Sequence, residues 1–329
     1  MTFEGKKILV TGAGGFIGSH LTEELVKMGA EVTAMIHYNS NNSWGNLEWL
    51  DPRVKDQLKV IPGNIEDAHF VHKVTRGQDI VFHLAALIAI PYSYDAPLNY
   101  VRTNVEGTTN IMHACMENQV SKVVHTSTSE TYGTAIYAPI DEKHPLQGQS
   151  PYSATKIGAD KIAESYYLSF GLPVATIRPF NTFGPRQSAR AVIPTIISQG
   201  LAEKHIKLGS LTPVRDLNYV KDTVQGFLKI AQSANSIGQV INVGQGQGIT
   251  IGELAQKILQ VMGVDKPIVT DPERIRPEKS EVFKLICDHS KAKELVGWEP
   301  SYTLEQGLIE TVEFVTKNIN LFKTNIYNK

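Results

Sequence analysis

The feature that most restricts the fold of this chain is a glycine-rich segment near its start, Val10-Thr11-Gly12-Ala13-Gly14-Gly15-Phe16-Ile17-Gly18. It follows an apolar strand pattern at residues 7–11 and opens a helical pattern at residues 15–29. Gly12, Gly15 and Gly18 are spaced GxxGxxG, which allows a tight turn, close approach of a diphosphate and close packing of helix on sheet. The helix N-terminus adds free N–H groups for phosphate. A glycine-rich turn without a ligand is the alternative, but this strand–loop–helix setting favours a dinucleotide-binding loop.

Strand and helix patterns alternate along the first half of the chain. Apolar, β-rich runs occur at residues 32–36, 58–62, 80–84, 122–127 and 174–178, and helical patterns at 97–118 and 152–170. This alternation predicts an α/β fold with a Rossmann-type, doubly wound parallel sheet covered by helices on both faces. Beyond residue 180 the loops lengthen and polar motifs cluster. We therefore predict a dinucleotide-binding domain over residues 1–180 and a smaller, mixed C-terminal substrate lobe over residues 181–329.

Composition excludes several classes of partner. The net charge is −1 and 20% of residues are charged, so neither nucleic acid nor a membrane surface is expected as a partner. No apolar run reaches the roughly 20 residues of a membrane span. The N-terminal residues lead into a strand without a signal-peptide pattern, and Cys115 and Cys287 have no metal-like spacing. We expect a cytoplasmic protein with reduced cysteines and no metal.

Further residues are expected to contact the dinucleotide. The second strand ends in Met35-Ile36-His37-Tyr38-Asn39-Ser40, without the carboxylate that would hold the adenosine ribose hydroxyls. His37 could receive a 2′-phosphate, or this stretch could simply begin a surface loop. The predicted cofactor is NAD(P), with NADP slightly favoured over NAD. The predicted cofactor contacts are Gly12, Gly15, Phe16, Ile17, Gly18, His37, Asn64, Ile65, Leu84, Ala85, Ala86, Tyr152 and Lys156.

Two groups suited to proton transfer occur in the middle of the chain. Tyr152 and Lys156 are four residues apart on one helix face, so the ammonium is expected to lower the phenol pKa and make Tyr152 a usable base. Glu130 follows the fifth strand, at the end where ligands bind in open α/β sheets. The alternative for Tyr152 and Lys156 is that they are ordinary surface residues, and the alternative for Glu130 is that it only begins a loop. Together the three predict alcohol–ketone redox combined with attack on a neighbouring C–H.

Several motifs in one order resemble the extended short-chain dehydrogenase/reductases of the nucleotide-sugar epimerase/dehydratase group. They are the glycine-rich loop, His83-Leu84-Ala85-Ala86, Thr103-Asn104-Val105-Glu106-Gly107-Thr108, the Tyr152/Lys156 pair, residues 178–186, Arg215-Asp216 and Gly297-Trp298-Glu299-Pro300. Residues 38–45 and 139–156 are similar to 4,6-dehydratases that act on nucleotide-linked N-acetylglucosamine in legionaminic-acid pathways. The resemblance implies a homodimer in which helices around residues 98–115 and 152–170 form a four-helix bundle.

The resemblance also implies roles in a nucleotide-sugar 4,6-dehydratase acting on UDP- or GDP-linked (N-acetyl)glucosamine. Thr128 and Tyr152 would hold the sugar C4 hydroxyl, Lys156 would bind the nicotinamide ribose, and Glu130 would remove the C5 proton. Loss of the C6 hydroxyl as water and return of hydride to C6 then yield a 4-keto-6-deoxy sugar. Asn181 is expected to contact the substrate diphosphate or sugar. Because guanidinium groups match phosphate oxygens, Arg186, Arg215 and Arg276 are expected to contact the diphosphate and the nucleotide ribose.

Ser129 departs from the pattern of many sugar-nucleotide dehydratases, which carry Asp at this position as the acid for the leaving hydroxyl. Either Glu130 serves as both base and acid, or Ser129 positions a water molecule. A UDP-glucuronate decarboxylase shares Thr-Ser-Glu and the Tyr/Lys pair, whereas a 4-epimerase needs no C5 base. A non-catalytic dinucleotide-binding protein is the remote alternative. UDP versus GDP and the C2 substituent stay open.

Overall fold

A computed structural model describes residues 2–324, 326 and 327 of the chain. The strands are β1 (Lys7–Thr11), β2 (Glu31–His37), β3 (Lys59–Gly63), β4 (Ile80–His83), β5 (Lys122–Thr126), β6 (Val174–Pro179), β7 (Asn181–Phe183), β8 (Ile206–Leu208), β9 (Val214–Tyr219), β10 (Val240–Val243), β11 (Gly248–Thr250), β12 (Ile268–Thr270) and β13 (Lys284–Leu285). The helices are α1 (Phe16–Lys27), α2 (Pro52–Lys55), α3 (Ala68–Thr75), α4 (Ile90–Asp95), α5 (Pro97–Tyr100), α6 (Gly107–Glu117), α7 (Pro151–Phe170), α8 (Val192–Ala202), α9 (Val220–Gln232), α10 (Ile251–Met262), α11 (Ser290–Val296) and α12 (Leu304–Lys317).

The central sheet is parallel, with seven strands in the order β10-β6-β5-β4-β1-β2-β3. The predicted α/β class with a Rossmann-type sheet is therefore confirmed. The strand order reverses between β1 and β4, so their carboxyl ends form the crevice in which open α/β sheets bind ligands. The buried runs of β1 and β4 are almost wholly apolar because helices cover both faces of the sheet.

The seventh strand comes from the half of the chain that the sequence pattern assigns to the C-terminal lobe. After β9 the chain returns through α9 and adds β10 beside β6, with Ile241 paired to Ile177. The buried face of α9, including Val224, Phe227 and Leu228, joins the same apolar core as β1. The dinucleotide-binding sheet therefore includes residues beyond 180. The sequence pattern does not show this, because a strand of four residues is too short to have a recognisable periodicity.

The C-terminal part builds two smaller sheets. β11 runs antiparallel to β9, β7 and β13 run parallel to it, and β8 pairs with β12. Capping boxes start α10 at Thr250 and α12 at Thr303, where each side chain accepts a hydrogen bond from the backbone three residues on. Their apolar faces, with those of α8, complete a core shared with the central sheet.

The predicted helix at residues 97–118 contains an irregular segment. α5 continues into α6 through a π-helical turn, Val101–Glu106. Asn104 lies in this turn, where its Oδ1 accepts from the Leu87 backbone N–H at 2.8 Å and its Nδ2 donates to the Leu87 carbonyl and the Thr155 hydroxyl. π-turns often occur at functional sites. This one fastens the loop after β4 to α7.

Candidate active site

A cavity of about 1130 Å³ runs along the carboxyl edge of the central sheet and into the C-terminal part. It gathers most of the predicted site residues: Gly12, Gly15, Phe16, Ile17, Gly18, His37, Asn64, Ile65, Leu84, Ala85, Ala86, Thr128, Ser129, Glu130, Tyr152, Asn181, Arg215 and Arg276. Lys156 and Arg186 are not among the described residues that line it. The predicted cofactor contacts, the predicted proton-transfer groups Tyr152 and Glu130, and the predicted phosphate ligands thus line one continuous cavity.

The glycine-rich loop forms a cradle with no room for side chains. Gly12 has a φ of +71°, and a Cβ there would lie 2.8 Å from the Ala85 nitrogen. Thr11 Oγ1 accepts from the backbone N–H of both Leu84 and Ala85 at 3.1 Å, which locks the loops after β1 and β4 together. A Cβ on Gly18 would overlap the Gly12 carbonyl, so helix and loop must touch.

The start of α1 is suited to an anion. Its N-cap is Gly15, and in the described chain no side chain caps the first turn. The free N–H groups and the helix dipole therefore point into the cavity, where they fit a diphosphate. The cradle and the uncapped helix together fit a dinucleotide cofactor.

The end of β2 is a compact polar loop. Asn39 donates through Nδ2 to the carbonyls of His37 and Ser43, and its Oδ1 accepts from the Ser43 N–H at 2.9 Å. His37, Asn39, Asn41 and Ser43 line the cavity. These are neutral or weakly basic groups, and the choice between NAD and NADP stays a prediction.

Tyr152 is held in the first turn of α7 beside Thr128. A capping box between Ser150 and Ser153 fixes the start of the helix, and the phenol hydrogen-bonds with Thr128. Burial raises the pKa of the Tyr152 phenol well above its usual range, and the nearby Glu130 charge raises it further. The net pKa of this phenol is therefore raised, whereas the four-residue spacing from Lys156 predicts that it is lowered. The sequence spacing places the two groups on one helix face but says nothing about desolvation.

Lys156 lies deeper than Tyr152, beneath the cavity. Its Nζ donates to the Thr126 carbonyl at 2.6 Å. Burial lowers the pKa of the Lys156 ammonium to about 8, and the Asp160 carboxylate on the next turn opposes that decrease. A contact with a nicotinamide ribose stays a prediction for this residue.

Glu130 is presented by a short 3₁₀ turn, Ser129–Tyr132, directly after β5. Thr131 Oγ1 donates to the Thr128 carbonyl at 2.7 Å, and the buried Tyr132 hydroxyl donates to Asn242 Oδ1 at 2.8 Å. These bonds fix the turn so that the half-buried Glu130 carboxylate lines the cavity. Its charge acts on both the Tyr152 phenol and the Arg215 guanidinium, so the carboxylate lies within electrostatic reach of both.

Ser129 is buried at the same cavity wall, 2% exposed. Glu130 is its neighbour in the turn and carries the one carboxylate of residues 128–132. A hydroxyl at position 129 can hold a water molecule or a substrate oxygen, but it cannot serve as an acid of useful strength.

Two arginines meet one carboxylate in the C-terminal part of the cavity. Arg215 Nη2 lies 3.3 Å and Arg276 Nη1 3.7 Å from Glu281 Oε1. Arg276 Nη1 and Asn181 Nδ2 are buried without a hydrogen-bond partner among the described residues. A cluster with two guanidinium groups, one carboxylate and unused donors is suited to an anion with several oxygens, such as a diphosphate.

Arg186 lies apart from the other predicted substrate ligands. Its Nη2 forms a 2.7 Å ion pair with Glu23 on α1, and its carbonyl accepts from Asn46 Nδ2 at 3.0 Å. The structure therefore places it at a contact between the two parts of the chain rather than in the cavity. An arginine next to a Gly-Pro turn carries no sign in the sequence of which partner it will meet.

Several cavity residues have no sequence motif that marks them. Glu281, Arg190 and Arg274 line the C-terminal end, and the Arg274 guanidinium lies 4.7 Å from the centre of the Tyr327 ring. A second group forms an apolar wall after β4: Leu87, Ile88, Ala89, Ile90 and Pro91. The run Pro-Glu-Arg-Ile-Arg-Pro at residues 272–277 is a signal that could have indicated Arg274.

Neither a membrane span nor a metal centre emerges from the described residues. None of their helices is both long and apolar enough to cross a bilayer. Within residues 2–324, 326 and 327, His, Cys, Asp and Glu side chains form no group of three that could hold a metal ion. Both cysteines are buried free thiols.

With this geometry, comparison with known proteins is decisive at the level of family. The GDP-mannose 4,6-dehydratase family model matches residues 9–311. The chain belongs to this family. It is an extended short-chain dehydrogenase/reductase of the nucleotide-sugar epimerase/dehydratase group, as its motifs predict.

Individual relatives catalyse different reactions. A UDP-N-acetyl-α-D-glucosaminuronate decarboxylase from Bacillus cytotoxicus is 32% identical, covering 94% of this chain and 97% of its own. The dTDP-glucose 4,6-dehydratase DesIV from Streptomyces venezuelae, solved with NAD bound, superimposes with a TM-score of 0.87 at 28% identity over 96% of this chain and 98% of its own. A UDP-N-acetylglucosamine 4-epimerase from Methanobrevibacter ruminantium, solved with UDP-N-acetylmuramic acid, has a TM-score of 0.87 at 31% identity over 96% and 99%.

These relatives establish an enzyme of nucleotide-sugar chemistry with an NAD(P) site, and the cradle at Gly12–Gly18 fits that cofactor. Since a decarboxylase, a dehydratase and an epimerase all match along nearly their whole length, the family alone leaves the reaction open. The side chains around Tyr152 must therefore distinguish among these three reactions.

Proposed function

We propose that the protein is a nucleotide-sugar 4,6-dehydratase that converts UDP- or GDP-linked N-acetylglucosamine to its 4-keto-6-deoxy derivative. The observation that carries this proposal is the position of Glu130. Its carboxylate lines the same cavity as Thr128 and Tyr152, and its charge reaches the Tyr152 phenol. A second proton-transfer group beside the Tyr/Lys pair is needed for elimination and is superfluous for simple C4 redox.

The chemistry divides among three side chains. The cradle at Gly12–Gly18 would hold NAD(P)⁺, which would supply a hydride acceptor for C4 and, once reduced, a hydride donor for C6. Thr128 holds the C4 hydroxyl and Tyr152, as phenolate, accepts its proton, as their hydrogen bond at the cavity wall supports. Burial disfavours this phenolate in the protein by itself, and the positive charges of Lys156 and of a bound nicotinamide would favour it. Glu130 removes the C5 proton made acidic by the C4 ketone, and the C6 hydroxyl leaves with a proton as water. A proton returns to C5, so the net change is the loss of one water molecule.

The cavity walls support this class of substrate. The pair Arg215 and Arg276, with the unpartnered amide of Asn181, suits the diphosphate. The wall at residues 87–91 carries no charged side chain and suits an acetyl methyl group or a 6-deoxy carbon. Legionaminic-acid precursors are one destination of such a product.

Decarboxylation of a nucleotide-linked uronic acid is the second candidate. Arg215 lies within Coulombic reach of Glu130, so a cation is close to where a C6 carboxylate would sit. The relative from Bacillus cytotoxicus carries the name of such an enzyme. Against this reading, Arg215 is assigned to the diphosphate together with Arg276, and both share Glu281 as a partner.

One experiment separates these reactions. The purified enzyme with NAD⁺ or NADP⁺ is incubated in D₂O with UDP- and GDP-N-acetylglucosamine and with the corresponding uronic acids. NMR of the products should show a 4-keto-6-deoxy sugar carrying deuterium at C5. A pentose with release of CO₂ would instead indicate the decarboxylase, and a C4-inverted sugar the epimerase.

Glu130→Gln tests the assigned base. The variant should form product 10²–10⁴-fold more slowly, the range typical of a general acid–base residue. It should also lose C5 deuterium uptake while still oxidising C4 in a single turnover, measured by nicotinamide absorbance. Tyr152→Phe serves as the contrast because it should lose C4 oxidation as well. Full dehydration by the Gln variant would remove Glu130 from this role.

The homodimer stays part of the proposal. Leu98 before the π-turn and Leu168 and Phe170 at the end of α7 are 69%, 71% and 60% exposed. Apolar side chains of this size on neighbouring helices support a helical interface. A monomer in sedimentation velocity at micromolar concentration would contradict it.

A further inference from the structure

A buried acidic residue lies directly beneath the candidate active site. Asp160 follows Lys156 by one turn of α7, so Tyr152, Lys156 and Asp160 lie along one face of the helix. Its side chain is only 5% exposed. A carboxylate this deep needs compensating partners, and the identity of those partners suggests its role.

Three side chains donate to Asp160, from β5, from the residue just after β5 and from β6. His125 Nε2 on β5 lies 3.0 Å from Oδ1, while the Ser127 hydroxyl and Arg178 Nη2 on β6 lie 2.6 and 2.7 Å from Oδ2. Arg178 Nε also donates to Ser127 Oγ at 3.2 Å. The carboxylate therefore joins the helix that carries Tyr152 to β6 and to the end of β5. The chain continues from β5 into the turn that carries Glu130.

The same network supports the turn that carries Glu130. The Arg178 guanidinium lies over the Tyr132 ring at 4.6 Å, and Tyr132 is the last residue of that turn. Ser127 directly precedes Thr128 along the chain. Movement of Asp160 would therefore be transmitted to both sides of the Tyr152 phenol.

Asp160 and Lys156 are also linked by their opposite charges. The charge of Lys156 interacts with Asp160 one turn along α7 and with His83 and His125 on the neighbouring strands. Arg178 contacts the other side of this group through Asp160. Burial lowers the pKa of both histidines, so they are neutral near pH 7. Arg178 is a cation, and Asp160 is the carboxylate whose charge favours the protonated Lys156.

We propose that Asp160 is a positioning residue for this reaction: it fastens α7 to the ends of β5 and β6 and supplies the negative charge that the buried Lys156 ammonium faces. The assignment of a reaction rests on the proposed function. The contacts and charges themselves do not depend on which nucleotide sugar is bound.

Asp160→Asn tests the proposal because it keeps the shape of the side chain and removes the charge. We expect the alkaline limb of the kcat/KM profile to move to lower pH by about one unit, as removal of a nearby opposite charge predicts. The ¹³Cε shift of Lys156, in lysine-labelled protein without substrate and assigned with Lys156→Arg, should titrate lower by the same amount. Glu164→Gln, the same change at an exposed site on α7, should alter neither measurement.

The substrate-free titration separates this proposal from the proposed function, since it holds whether or not dehydration is observed. A folded Asp160→Asn variant with unchanged titration of Lys156 and an unchanged limb would overturn the positioning role, even if kcat fell. If that variant does not fold, Arg178→Gln gives a test of opposite sign. Lys156 would then face Asp160 without a competing cation and should titrate at higher pH, and no increase would overturn the proposal.

Discussion

The close contact between the glycine-rich loop and the loop after β4 can be tested by a matched pair of substitutions. Gly12 and Gly77 have nearly equal φ values of +71° and +72°. A Cβ on Gly12 would lie 2.8 Å from the Ala85 nitrogen, whereas a Cβ on Gly77 would meet nothing within 4 Å. Alanine at either position has the same backbone strain and the same effect on the unfolded chain. The difference between the two variants therefore isolates the close approach at Gly12.

The expected magnitudes follow from these two terms. Gly77→Ala should lower the free energy of unfolding by about 1–2 kcal/mol, the cost of a left-handed conformation for a residue with a Cβ. Gly12→Ala should lower it by the same amount plus about 1–3 kcal/mol, the cost of overpacking a site whose neighbour is backbone. The neighbour cannot rotate away, because Thr11 holds the Leu84 and Ala85 N–H groups at 3.1 Å.

Urea unfolding followed by circular dichroism measures both variants, and titration calorimetry with NAD⁺ and NADP⁺ measures the cofactor site. Gly12→Ala should also weaken cofactor binding, while Gly77→Ala, in the turn before β4, should leave it unchanged. The reasoning would be refuted if Gly12→Ala were no less stable than Gly77→Ala. Unaltered cofactor affinity in Gly12→Ala would separately refute the assignment of the loop.

Two further substitutions concern the contact between α1 and the segment after β7. Arg186→Met removes the 2.7 Å partner of Glu23, which keeps Lys27 at 2.9 Å, and should cost about 0.5–1.5 kcal/mol of stability in urea unfolding, with the substrate KM changed less than twofold; a tenfold higher KM would restore Arg186 as a substrate ligand. Burial and the Arg186 charge lower the pKa of His20 to about 4. The unfolded state therefore takes up the proton first, and stability is lost as pH falls from 6.5 towards 4. Between pH 7 and pH 5 this amounts to at most about 2 kcal/mol, which His20→Gln should abolish.

Features with a local repeat could be predicted from the sequence alone. The GxxGxxG spacing, strand–helix alternation and the four-residue spacing of Tyr152 and Lys156 depend on residues close together in the chain. The predicted parallel sheet agrees with the structure because βαβ units admit few topologies. The position of Glu130 could also be predicted from local sequence, since a residue just after a parallel strand must lie at the ligand-binding edge of the sheet.

Other features depend on residues far apart in the chain. β10 completes the sheet beside β6 from more than 60 positions away along the sequence, and no local pattern predicts that pairing. Arg186 resembles a phosphate ligand by residue type and sequence context, yet its Nη2 forms an ion pair with Glu23 on α1. Glu281 has no motif, although it faces both Arg215 and Arg276 in the cavity.

The sequence by itself determined the fold class, the dinucleotide loop and the choice of Glu130, Tyr152 and Lys156 as the central groups of the candidate site. Each of these follows from the spacing of residues that are close together in the chain. The tertiary structure alone decided how those groups titrate and which of them meet. Burial raises the pKa of Tyr152 against the expectation from its neighbour Lys156, and Asp160, unmarked by any motif, supplies the counter-charge. Desolvation and Coulomb energies depend on distances through the folded protein, which spacing along the chain does not contain.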